Sequence, residues 1–86
     1  MNKPIPRATV IVLMAEERQA LEAVAGSRKS EARMRDRARI VLLAASGLGS
    51  RAIARDLGCT PGTASKWRVR YARDRMAGLS ETGDRG

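Results

Sequence analysis

Between Ser50 and Val69, in the run SRAIARDLGCTPGTASKWRV, the chain has to end one helix and begin another within three residues. Ser50 is a good N-cap, Ile53, Ala54 and Leu57 form an apolar stripe at helical spacing, and Gly58 supplies the left-handed residue that stops a helix. Thr60 then offers a new capping oxygen. Pro61 follows at the first helical position, where its missing N–H costs nothing and its fixed φ already suits a helix. This is the grammar of a helix-turn-helix: two short helices around a tight turn.

The charge follows the motif. The chain carries 17 Lys and Arg against 9 Asp and Glu, a net +8. Through Ser27 the charges cancel, whereas residues 28–75 hold thirteen basic and four acidic side chains, and the basic ones are mostly arginine. A guanidinium binds phosphate oxygens in a bidentate way, so such a block on helices points to a phosphate backbone as partner. Trp67 and Tyr71 are too few to form stacking platforms for single strands, which leaves double-stranded DNA as the better target.

Length and composition exclude several classes. Eighty-six residues make one small domain, burying about 60–65% of the surface of the unfolded chain, with no room for a catalytic domain as well. Cys59 is the single cysteine, so an internal disulfide is excluded, and the absence of histidine argues against zinc. The apolar run Val10 to Met14 is too short to span a membrane, and its flanks do not resemble a signal peptide. The expectation is a non-enzymatic, cytoplasmic, nucleoid-associated protein with no cofactor, metal or small-molecule ligand.

Along the chain the pattern predicts an all-α fold, a small four-helix helix-turn-helix bundle of paired or homeodomain-like type with a short N-terminal extended segment. Residues 1–9, with Pro4 and Pro6, read as a basic flexible arm; residues 10–76 as the DNA-binding domain, with its helix-turn-helix core at 50–76; and residues 77–86 as a tail or the start of a linker. Val10 to Leu13 is a β-rich run that alone would be an aggregation-prone edge, and it could pack on the core or pair with its copy in a homodimer together with helix one. The first helix is expected over Ala15 to Ala25, with Leu21, Val24 and Ala25 inward and Gly26 as its stop. The second is expected from a Ser30 cap to Ser46, with Met34, Ala38, Val41, Leu42 and Ala45 as its stripe and Ile40, Leu43 and Ala44 on other faces. An all-round apolar half belongs at the bundle centre. Arg33, Arg35, Arg37 and Arg39 surround its N-terminal half and are expected to project outward, where they could follow a DNA strand or form a solvated face.

On the last helix, Pro61 to Met76, a 100° step puts Ala64, Trp67 and Tyr71 on one side and Gly62, Ser65, Lys66, Val69 and Arg73 on the other. The first set packs, with Trp67 as anchor. The second would enter the major groove. Lys66 and Ser65 are the candidates for direct base contact, Pro61 and Gly62 permit close approach, and Val69 could touch a thymine methyl. Thr60, Thr63, Arg51, Arg70 and Arg73 are candidates for phosphate contact, as are Arg35 and Arg39, while Arg68 is expected to snorkel or pair with an acid.

The succession EERQALEAVAGSRKS, then RDRARIVLLAASGLGSRAIARDLGCTPGTASKWRVRYARDRMAGL, resembles the N-terminal domain of bacterial insertion-sequence transposases of the mariner superfamily, whose first DNA-binding unit is a paired-type helix-turn-helix. The resemblance covers residues 10–86, and RARIVLLAASG, LGCTPGTASKW and RMAGLSE are its most specific pieces. With Ser50 counted first, Ala54 and Gly58 take the fifth and ninth places, where such motifs have a small residue and a glycine. Ala64, Cys59 and Met14 depart from the family's usual aliphatic, valine or isoleucine, and Ser or Thr. The resemblance implies recognition of the terminal inverted repeats of a mobile element. The family's magnesium-dependent acidic triad has no counterpart, since Asp36, Asp56 and Asp74 fall on separate helices among arginines. Two other readings remain: a stand-alone transcriptional regulator with the same DNA-binding face, and a protein-interaction module working through Val10 to Leu13 and helix one.

Overall fold

The computed structural model describes residues 10–80, which form five helices and, among the described residues, no strand: α1 (Ala15–Gly26), α2 (Ala32–Ala45), α3 (Ser50–Leu57), α4 (Pro61–Asp74) and α5 (Met76–Ser80). The expected basic arm and the last six residues of the tail lie outside that range. The all-α class stands, with one more helix than the pattern predicted.

Met14 caps α1 without a side-chain oxygen because Glu17 works in reverse. Its Oε1 accepts the Met14 backbone N–H at 2.9 Å, one half of a capping box. Glu16 and Glu17 also place negative charge where the helix dipole favours it. Leu21 is fully buried, with Val24 and Ala25 packed beside it.

The Ser30 cap is a correction. α2 begins after Glu31, and the corner is closed by Arg35, whose Nη1 donates to the carbonyls of Ser30 at 2.8 Å and Ser27 at 3.2 Å. From there α2 runs through the centre of the bundle and packs against all four other helices. Ala38, Ile40, Val41 and Ala44 are buried on several of its sides, as an all-round apolar segment requires.

Ser50 is likewise not a cap. Gly49 takes that place and Ser50 is the first helical residue of α3, its hydroxyl accepting from Arg68 Nη1 at 3.2 Å. The expected stop is present: Gly58 has φ +78, a conformation that costs a residue with Cβ about 1–2 kcal/mol. Two residues on, Thr60 Oγ1 accepts the Thr63 N–H at 3.1 Å and Pro61 opens α4. The turn is therefore built from the residues that announced it.

The other corrections concern the two ends. Of the two outcomes expected for Val10 to Leu13, the segment packs on the core, as a strap without a partner strand among the described residues: Ile11 is buried and Leu13 half-buried in the core, while Val10 and Val12 face outward. Ile11 is covered by its own chain, and the homodimer expected through this segment is not supported. At the far end, α4 stops at Asp74, because Arg75 turns left-handed at φ +57 and α5 folds back onto the bundle. Leu79 becomes fully buried, so the packed unit extends to α5 and the stretch read as tail begins inside it. Gly78 makes the return possible, since a Cβ there would lie 2.6 Å from the Arg70 carbonyl oxygen.

Candidate nucleic-acid interface

α4 divides as its spacing predicts. Ala64, Trp67, Arg68 and Tyr71 are buried, with Trp67 8% exposed, while Pro61, Gly62, Ser65, Lys66 and Arg73 are exposed and Val69 is 43% exposed. A helix anchored through an indole and a phenol cannot roll without opening the core, so the outward row is held at a fixed angle. Thr60 and Thr63 stand exposed at its start, their hydroxyls bonded to each other at 3.0 Å, and Arg51 is exposed in the first turn of α3.

Arg68 lies on the packed side as expected, with a carbonyl and a hydroxyl among its partners. Nη1 donates to the Leu48 carbonyl at 3.3 Å and to Ser50, tying α4 to the loop before α3. Burial lowers its pKa from the ordinary arginine value, yet an arginine keeps its charge at neutral pH. Here the cation is a structural strut.

The remaining arginines do not all stand free on the surface. Arg70 is half-buried: Nε donates to the Gly78 carbonyl at 3.3 Å and its guanidinium carbon lies 5.4 Å from the centre of the Trp67 ring. Arg73 is exposed and paired with neighbouring Asp74 at 3.3 Å, a surface pair worth little. Arg35 and Arg37, expected to project, are half-buried instead. Arg35 holds the α1–α2 corner, and Arg37 donates to the Leu79 carbonyl at 2.8 Å with its guanidinium carbon 4.0 Å from the Trp67 centroid. Both long side chains lay apolar stems along the core and spend their heads on carbonyls.

Arg39 is exposed and lines, with Arg28 and Arg35, an open cleft of about 360 Å³ at the α1–α2 corner. That cleft is not shared with α4. Arg33 and Arg37, one turn apart on the other side of α2, border a cleft of about 230 Å³ together with Cys59, Thr63 and Trp67. The candidate set thus separates into the α3–α4 surface and a distinct corner. Sequence reading placed Arg33 and Arg37 among the arginines that could follow a DNA strand but did not join them to α4, although their spacing with Ile40 and Ala44 continues one helical face that leads there.

A family model described as a homeodomain-like domain matches residues 31–80, more than half of the chain. The chain belongs to the homeodomain-like domain family. No curated protein and no solved structure matches it. The homeodomain-like unit comprises α2 to α5, with α3 and α4 as its helix-turn-helix and α1 packed on α2 from outside. This is a DNA-binding type of fold, and α4 occupies the position of the recognition helix. Among the described residues, no helix is long and apolar enough to cross a membrane.

Proposed function

We propose that this homeodomain-like domain binds double-stranded DNA sequence-specifically through α4, and that its sites are the terminal inverted repeats of a mobile element. The observation that carries the DNA reading is the fixed outward row Gly62, Ser65, Lys66, Val69 and Arg73, backed by the buried Trp67 and Tyr71. In this reading Lys66 donates to guanine acceptors, Ser65 bonds a base edge and Val69 meets a thymine methyl, while Pro61 and Gly62 let the helix start approach closely. Thr60, Thr63, Arg51, Arg70 and Arg73 hold the backbone and set the register. Arg35 and Arg39 have a lesser part, since Arg35 is engaged with loop carbonyls. The transposon assignment rests on the resemblance of RARIVLLAASG, LGCTPGTASKW and RMAGLSE to insertion-sequence transposases, whose nuclease would act where this domain has bound.

Selection of bound duplexes from a random pool tests the proposal. One unpaired site, found again at both inverted ends of an element that encodes this chain, is the expected result. Recovery of a palindrome embedded in a promoter would favour a transcriptional regulator instead. A pool with no enrichment, from a protein without salt-sensitive DNA affinity, would leave an interaction module.

A further inference from the structure

Three cations surround one indole. The guanidinium carbon of Arg37, the Nζ of Lys66 and the guanidinium carbon of Arg70 lie 4.0, 4.9 and 5.4 Å from the centre of the Trp67 ring. Among the described residues, the ion pairs of the fold are Arg33–Glu31, Arg73–Asp74 and Arg75–Glu17, and none of them includes Lys66 or Arg70. Trp67 also lines the 230 Å³ cleft between α2 and α4, where Arg33, Arg37, Thr63 and the single acid Asp36 are its charged and hydroxyl-bearing walls. Arg33 and Arg37 outnumber Asp36 in that lining, so the cleft carries a positive balance that attracts an anion.

We propose that the α2–α4 cleft seats a DNA backbone phosphate, held by Arg33 and Arg37 beside Trp67. The proposal rests on the reading of α4 as the DNA-binding helix. A duplex against the outward row of α4 brings one sugar–phosphate strand past Thr63, which stands in the first turn of that helix and lines the cleft. Arg37 is already oriented by the Leu79 carbonyl and the indole, so little side-chain freedom is lost when it meets an oxygen. Arg33 stands one turn away with an exposed head, tied only to Glu31 in the weak manner of surface pairs. Helix α2 thereby becomes a DNA-contacting element, and the footprint gains a phosphate outside the groove that α4 reads.

The test uses the whole chain and a duplex selected as above. Arg33→Gln removes an exposed cation, and unchanged thermal unfolding confirms that the variant folds; Arg18→Gln, on the outer helix α1, serves as the control. The slope of log K against log salt is expected to fall by roughly one in Arg33→Gln and to stay at the parent value in Arg18→Gln. Preference among sequences stays unchanged, as for any backbone contact. Cys59, the sole cysteine and a wall of the same cleft, is expected to be alkylated more slowly when duplex saturates the protein. A parent slope retained by Arg33→Gln, or Cys59 alkylated at one rate with and without duplex, overturns the proposal while leaving the recognition helix intact. A parent protein with no salt-dependent affinity overturns both.

Discussion

Two substitutions on α4 separate reading from holding. Lys66→Ala is expected to cost about 1–3 kcal/mol on the selected duplex and to relax preference at one base pair, whereas Arg73→Ala weakens all duplexes alike. Titration of both variants against selected and random duplexes decides it, and equal losses on both duplexes would remove the assigned roles. The glycines make a second pair. At Gly62 an added Cβ meets nothing nearer than Thr60 Oγ1 at 3.9 Å, so Gly62→Ala should fold as well as the parent, and a loss of DNA affinity would then report close approach alone. At Gly78 the same Cβ meets backbone at 2.6 Å, where no flexible side chain can give way. Gly78→Ala is expected to lose about 1–3 kcal/mol in denaturant unfolding, the range of overpacked cores.

At the scale of elements, the turn between α3 and α4 carries the motif through one cap and one left-handed glycine. Thr60→Ala removes the oxygen that accepts the Thr63 N–H and is expected to cost about 0.5–2 kcal/mol, read as a lowered unfolding midpoint. This turn was legible in the sequence because Gly58, Thr60 and Pro61 act on their own backbone, and local chemistry needs no partner. The two faces of α4 were legible for a similar reason, since Ala64, Trp67 and Tyr71 recur at helical spacing. What spacing cannot show is which distant group a long side chain will reach. Arg35 and Arg37 read as surface cations and Arg68 as one that would snorkel or pair with an acid, and each instead serves a carbonyl, in the case of Arg37 one that is 42 residues away. The fifth helix was hidden by the same limit, because the break at Arg75 gains its compensation only from the tertiary burial of Leu79. The strap was left with two outcomes for a related reason, since alternation of Val10, Ile11, Val12 and Leu13 marks one buried side equally well with or without a neighbouring strand.

For the whole molecule the dominant quantity is its uneven positive charge. If four to six phosphates are neutralised, log K should fall against log salt with a slope of roughly −4 to −5, and a flat dependence would reject the electrostatic reading. Stability should also respond at the alkaline end. Burial chiefly, and then the negative charge of Glu17, push the Tyr71 hydroxyl above its ordinary pKa of 10.0, against an opposing pull from Arg75. A raised folded-state value means that the fold favours the neutral phenol. That stabilisation is fully present below pH 10 and is lost as the pH rises through the folded value. Tyrosinate absorbance should therefore rise together with loss of helical signal, because this is the single tyrosine of the chain.

The Arg75 guanidinium reaches in two directions, to the Val12 carbonyl at 3.3 Å and to Glu17 at 3.5 Å, while its backbone closes the final turn of α4. The strap and the start of α1 are thus clasped to the end of α4 remote from Thr60. The strap is thereby moored away from Thr60, and its described residues leave the leading turn of that helix unobstructed for whatever it docks against.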